Sequence, residues 1–95
     1  MKEVIGCMKN VTMFILQSCP YCKQALRWMD ELLVENASYK SVAVEVIDER
    51  DQPELADSFD YWYVPTYYVG DEKLHEGAAT KQKIKRVYEA ALEGY

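Results

Sequence analysis

Two short apolar runs with one amphipathic stretch between them limit what this chain can become. Val11-Thr12-Met13-Phe14-Ile15-Leu16 is apolar almost throughout instead of alternating, the pattern of a central strand covered on both faces. Val42-Ala43-Val44-Glu45-Val46-Ile47 is rich in β-branched residues and reads as a second strand. Between them, Ala25, Leu26, Met29, Leu32 and Leu33 recur at helical spacing within Lys23–Glu35. A strand, a helix and a strand in that order pair in parallel through a right-handed crossover.

The junction of the first strand and the helix holds Cys19-Pro20-Tyr21-Cys22. Extending the apolar stripe backwards lands on Cys22, which is therefore expected to face the core. Pro20 suits the first helical position, because its φ is fixed and its missing N–H would have had no partner there. That puts Cys19 at the N-cap, where the unpaired N–H groups of the first turn favour an anionic sulfur, and Lys23 and Arg27 follow within two turns. An exposed, activated Cys19 attacking a disulfide and a sheltered Cys22 resolving the product is the division of labour that thiol–disulfide exchange needs. A C-x-x-C beside a βαβ pattern is the redox-motif reading of such spacing. The competing reading is half a zinc site, for which Cys7 and His75 are the only further ligands of suitable type, with no second C-x-x-C.

The remaining chain orders itself around that unit. Asn36 is the expected cap of the first helix, followed by a polar connection, Ala37–Ser41. Asp51-Gln52-Pro53-Glu54 resembles a capping box that starts a short helix burying Leu55 and Phe59, and the acidic run Asp48 to Asp51, with Asp57 and Asp60, is expected to be solvated. Val64-Pro65 precedes a strand over Thr66 to Val69, and Gly70-Asp71 turns it into a second strand over Glu72 to Glu76. A proline there must stand at an edge or at the first residue of its strand. Gly77 ends the hairpin, Thr80 caps a last helix with the stripe Ile84, Val87, Tyr88, Ala91 and Leu92, and Gly94 closes it. The expected class is α/β with the order β-α-β-α-β-β-α.

Ninety-five residues that are 49% hydrophobic suffice for one core, and residues 1–95 are read as a single domain. A net charge of −5 with scattered lysines argues against nucleic-acid binding. No apolar stretch reaches the ~18–20 residues that span a bilayer, and the first ten residues lack the pattern of a signal peptide. The expected compartment is the cytoplasm, where C-x-x-C serves catalysis or metal binding more often than structure. Cys7, the odd cysteine, reads as a small buried or idle residue, with a third redox or metal-binding thiol as the lesser alternative. His75 on the hairpin reads as a surface residue, since the exchange needs no histidine.

The order of elements, with C-P-Y-C after the first strand and Val64-Pro65 before the hairpin, resembles the glutaredoxin branch of the thioredoxin-like superfamily along residues ~11–93. The resemblance implies a four-stranded mixed sheet with helices on both faces. It also implies Cys19 as nucleophile, Cys22 as resolving thiol, and Pro65 in a cis bond beside them. Pro20, Tyr21, Tyr63, Val64, Pro65 and Gly77 would surround the substrate, with Val64 offering its main chain as a strand-like grip and Lys23 tuning the thiolate. The chain departs from glutaredoxins at three places. Leu16 stands where a lysine or arginine usually holds glutathione, Tyr63 where a threonine usually precedes Val-Pro, and Glu76-Gly77-Ala78-Ala79-Thr80 where a Gly-Gly-x-Asp signature is usual. Thioredoxins proper carry Trp-Cys-Gly-Pro-Cys and a buried acid in the preceding strand; here those positions hold Ser18, Pro20-Tyr21 and Met13.

The function expected is a dithiol oxidoreductase that reduces protein or glutathione mixed disulfides. It would need no tightly bound cofactor and no metal, and would use glutathione as a co-substrate or a thioredoxin-reductase-type enzyme as donor. It is expected to be a monomer. Two other readings stand beside it: an iron–sulfur or metal-binding module in which Cys19 of two chains bridges a cluster, and a dedicated thiol donor to one enzyme such as a peroxidase.

Overall fold

In the computed structural model residues 10–93 are described, so Cys7 and Gly94 lie outside the described residues. The elements are β1 (Val11–Ile15), α1 (Pro20–Glu35), a turn of 3-10 helix (Ala37–Ser41), β2 (Val44–Asp48), α2 (Pro53–Asp57), β3 (Thr66–Val69), β4 (Glu72–Glu76) and α3 (Lys81–Glu93). The four strands form one mixed sheet in the order β2-β1-β3-β4. β1 pairs in parallel with β2 and antiparallel with β3, and β3 pairs antiparallel with β4. The nearly unbroken apolar run of β1 thus has its reason, because β1 is central and buried on both faces.

One face of the sheet carries the larger core. Val11, Met13 and Ile15 of β1 and Tyr67 and Val69 of β3 pack with Cys22, Ala25, Met29 and Leu32 of α1 and Ile84, Val87, Tyr88 and Ala91 of α3. The opposite face carries a smaller, mostly aromatic cluster of Phe14, Ile47, Ala56 and Tyr68, with Phe59 and Tyr61 against it. Phe14 lies 4.8 Å from the Phe59 ring, stacks on Tyr61 at 4.8 Å and meets Tyr68 edge-on at 6.1 Å. Tyr67 and Tyr68 point to opposite faces, as strand alternation requires, and both are buried.

Several local expectations shift. β2 begins at Val44, not Val42: Val42 ends the 3-10 turn, donating its N–H to Tyr39 O at 3.1 Å. The Ala37–Ser41 connection is not simply polar, for Tyr39 is buried, stacks on Tyr88 at 5.1 Å and donates from its hydroxyl to Glu89 Oε2 at 3.1 Å. Asn36 does end α1, but with extended backbone, and its Oδ1 accepts the Ser38 N–H to start the 3-10 turn. The capping box fails as well. Gln52 is the N-cap of α2 and makes no side-chain cap, Leu55 is exposed, and Ala56 is the residue that α2 buries. Five residues present one position to the aromatic cluster, and Ala56 occupies it.

Thr80 caps α3 as expected, Oγ1 accepting the Lys83 N–H at 3.2 Å. Lys81 in the first turn of α3 reaches Glu31 Oε1 at 3.0 Å and Glu35 Oε2 at 2.5 Å, tying the start of α3 to the end of α1 on their solvent side.

Candidate functional site

Sequence fixes the first half of the site locally. Pro20 opens α1 and Cys19 is its N-cap in extended conformation, φ −83° and ψ 119°. The Cys19 carbonyl accepts from Cys22 N at 3.1 Å and Lys23 N at 3.2 Å. The sulfur itself makes no cap hydrogen bond and is half-exposed. Cys22, three residues along and therefore nearly a turn round the helix, is 1% exposed and belongs to the main core. Tyr21 is 61% exposed, and Pro20 and Lys23 are exposed as well.

Burial is the largest influence on Cys22, raising its thiol to about 12; the Leu16 backbone pulls the other way, and Cys19 and the Glu49 carboxylate add to the rise. The Cys22 sulfur therefore rests as a protonated thiol at neutral pH. A stability effect follows. Above the ordinary thiol range the unfolded chain loses this proton while the folded chain keeps it until about 12. The folded state then binds more protons, and stability falls as pH rises through that window. Burial also holds Tyr61 and Tyr67 above their ordinary range, and they act in the same direction once pH passes about 10. Urea unfolding of reduced protein between pH 8.5 and 10 should therefore show stability falling more steeply in the wild type than in Cys22→Ala, with a limiting difference of about 1.4 kcal/mol per pH unit. Equal slopes would remove the buried-thiol account.

A carboxylate at the end of β2 holds the loop before Cys19. Asp48, expected in a solvated acidic run, is buried. Its Oδ2 accepts the Gln17 N–H at 3.1 Å and its Oδ1 the Arg50 N–H at 2.8 Å. Parallel pairing of β1 with β2, Ile15 opposite Asp48, brings the two loops side by side. A carboxylate accepting backbone N–H groups tolerates burial that an unpaired one would not.

The second half of the site comes from the other end of the chain. The Val64–Pro65 bond is cis. Pro65 is buried and Val64 half-buried, and β3 begins at the next residue. Gly77 has φ +92°, a conformation L side chains rarely adopt, and its N–H donates to Pro65 O at 2.9 Å. Beside them Tyr63 is 70% and Trp62 86% exposed. His75 is half-buried, not a free surface residue, with Nε2 3.0 Å from Gly77 O and 3.1 Å from Ala78 O. Among the described residues no group of three or more His, Cys, Asp and Glu side chains is arranged to hold a metal ion, and no helix is long and apolar enough to cross a membrane.

Trp62, Asp48 and Glu76 are the residues that sequence reasoning did not single out. Glu76 ends β4, yet its Oε2 accepts the Trp62 N–H at 2.5 Å and the Tyr63 N–H at 3.0 Å, thirteen or more residues back. No local pattern signals such a contact, because only the register of the hairpin creates it. Exposed Trp62 carried a compositional signal, an aromatic run just before Val-Pro.

A mixed four-stranded sheet with a C-x-x-C helix after the inner strand β1 and a cis-proline just before its antiparallel neighbour β3 defines a thioredoxin-like disulfide oxidoreductase. Residues 9–89 match the family model for the thioredoxin domain, and the chain belongs to that family. A thioredoxin of Methanocaldococcus jannaschii is 29% identical over 75 residues, covering 79% of this chain and 86% of that one. Thioredoxin O1 of Arabidopsis thaliana, in the oxidized state, matches with a TM-score of 0.69 over 93% of this chain and 81% of its own at 22% identity. Oxidised thioredoxin of Plasmodium falciparum gives 0.66 over 90% and 84% at 17% identity. The four-stranded mixed sheet with three helices expected from the sequence is the fold these structures share.

Proposed function

We propose that this protein reduces disulfides in polypeptide substrates by dithiol exchange. The Cys19 thiolate attacks one sulfur of the substrate disulfide; the substrate S–S bond breaks, and its other sulfur leaves as a thiolate. Cys22 then gives up its proton and attacks Cys19, breaking the mixed disulfide and releasing the second substrate thiol. The protein is left with a Cys19–Cys22 disulfide, having passed two electrons, and an external donor restores the dithiol. Pro20, Tyr21, Tyr63, Val64, Pro65 and Gly77 surround the incoming chain, with the Val64 main chain as its strand-like partner, and Lys23 lends positive charge to the helix end.

The observation that carries this reading is the contrast on one helical turn: a half-exposed Cys19 at the N-cap and a Cys22 buried to 1% with its thiol raised to about 12. Such an asymmetry supports attack by Cys19 and resolution by Cys22. Protein disulfides are favoured over glutathione as substrate. Leu16 and Ala78-Ala79-Thr80 supply neither the cation nor the acid that a glutathione site of the glutaredoxin kind uses, whereas Tyr21, Trp62 and Tyr63 offer exposed aromatic surface. A thioredoxin-reductase-type enzyme is the proposed donor, the cytoplasm the proposed compartment, and a monomer without tightly bound cofactor the proposed working form.

A coupled insulin-reduction assay separates the donors. Turnover with NADPH and a thioredoxin reductase should exceed turnover with glutathione and glutathione reductase by about tenfold or more. The reverse ratio would make glutathione the co-substrate and the protein a glutaredoxin in function.

A further inference from the structure

The segment Asp60–Val64 has no regular secondary structure, yet its main chain is held by four side chains, those of Thr66, Tyr68, Lys73 and Glu76. Tyr68 Oη donates to Asp60 O at 2.7 Å and Lys73 Nζ donates to the same oxygen at 3.0 Å. Thr66 Oγ1 donates to Tyr63 O. Glu76 Oε2 accepts from both Trp62 N and Tyr63 N, while its Oε1 accepts from Lys73 Nζ at 2.8 Å. None of these bonds uses the main chain of Val64, the residue the proposed substrate pairs with.

Two exposed rings stand on this fastened segment, and large aromatic side chains on a rigid support are the kind of surface that anchors a polypeptide at low entropic cost. One oxygen serving two successive N–H groups sets the direction of both peptide planes, and with it the direction of the Trp62 and Tyr63 side chains. Lys73 holds the carboxylate in place and shares the Asp60 carbonyl, so the clamp spans β4 and both ends of the loop. The Lys73 bond, followed by the two N–H groups, keeps Glu76 ionised down to about pH 2, so the clamp stays closed at any pH at which a thiolate reacts.

We propose that Glu76 is a positioning residue for substrate: its carboxylate fixes the Trp62–Tyr63 loop so that both rings and the Val64 main chain are presented to a polypeptide beside the disulfide Cys19 attacks. The inference rests on the reading of the protein as a dithiol reductase of polypeptides. It adds that recognition of the polypeptide, as distinct from the chemistry of the sulfurs, depends on a side chain that touches neither cysteine nor substrate.

The test uses the full chain with dithiothreitol as the electron source, so that no natural donor enters. Insulin serves as polypeptide disulfide and cystamine as a disulfide with no polypeptide to recognise. Glu76→Ala should raise KM for insulin about tenfold with kcat changed less than about twofold, and the KM effect should exceed any loss of cystamine rate at least about fivefold. Glu76→Gln, whose amide oxygen still accepts N–H groups, should recover at least half of that rise. A KM change under about threefold, parallel losses on insulin and cystamine, or a Gln variant as impaired as the Ala variant would each overturn the proposal. If Glu76→Ala does not fold, amide exchange in the wild type decides: Trp62 and Tyr63 N–H protected at least about tenfold over unstructured peptide supports the clamp, and unprotected exchange removes it. Failure of the wild type on both disulfides would instead sink the underlying reductase reading.

Discussion

Cys19→Ser should abolish disulfide reduction, by at least about a thousandfold, whereas Cys22→Ser should attack once and stop as a mixed disulfide with its substrate. The difference follows from where the two sulfurs sit. Cys19 is the half-exposed N-cap of α1, reachable by a substrate sulfur, and Ser at the same place keeps the helix start but offers a poor nucleophile. Cys22 lies in the core with its thiol raised to about 12. On the proposed roles it should not compete for the first attack, and its loss should remove only the step that releases product. The measurement is insulin reduction with each variant in a Cys7→Ser background, together with non-reducing gel electrophoresis after one equivalent of substrate. A covalent adduct with Cys22→Ser and none with Cys19→Ser is the expected result. Comparable turnover in both variants, or an adduct formed through Cys22, would reverse the assignment of roles.

The largest stability loss should come from Phe14→Ala. Phe14 is fully buried, and its ring meets those of Phe59, Tyr61 and Tyr68 on the sheet face opposite α1 and α3. Removing it takes the centre from a small cluster made with Ile47, Ala56 and Tyr68, against which Phe59, Tyr61 and Val64 pack. A buried Phe→Ala change costs about 3–5 kcal/mol through lost transfer energy and the cavity left behind. Against the low end of the roughly 5–15 kcal/mol of a typical domain, that removes most of the stability. Phe14→Leu keeps most of the volume and should cost under about 1.5 kcal/mol. Urea unfolding of both variants checks this, and a Phe14→Ala loss below about 1 kcal/mol would mean that the second cluster contributes little to holding the fold. Tyr61 is followed directly by Trp62, so Phe14→Ala should also loosen Trp62, visible as a change in its fluorescence.

The redox half of the site was legible because its determinants are local. Pro20 at the first helical position, Cys19 before it and Cys22 in register with Ala25, Met29 and Leu32 all follow from 3.6-residue periodicity and the backbone of proline. The hairpin was equally plain, since Gly70-Asp71 turns two strands whose bounds, Thr66–Val69 and Glu72–Glu76, are those the sequence suggests. Local pattern misled where a segment was too short to carry a period of its own. In α2 the apolar Leu55 looked like the buried residue, and five residues of helix turned Ala56 inward in its place. At Ala37–Ser41 the polar composition hid Tyr39, whose burial depends on Tyr88 from the last helix.

What the sequence determined by itself, then, is the set of strands and helices, the central place of Val11–Ile15, and a dithiol whose two members face different surroundings, because each of these depends on side chains within a few positions of one another. Only the tertiary structure decided which acids matter. Asp48 became a buried acceptor for the Gln17 N–H through parallel pairing of β1 with β2, and Glu76 a clamp on Trp62 and Tyr63 through the register of β3 with β4. A carboxylate reads the same in sequence whether it is solvated or holds a loop, and the difference is set by which backbone N–H groups the folded sheet brings within 3 Å or so of its oxygens.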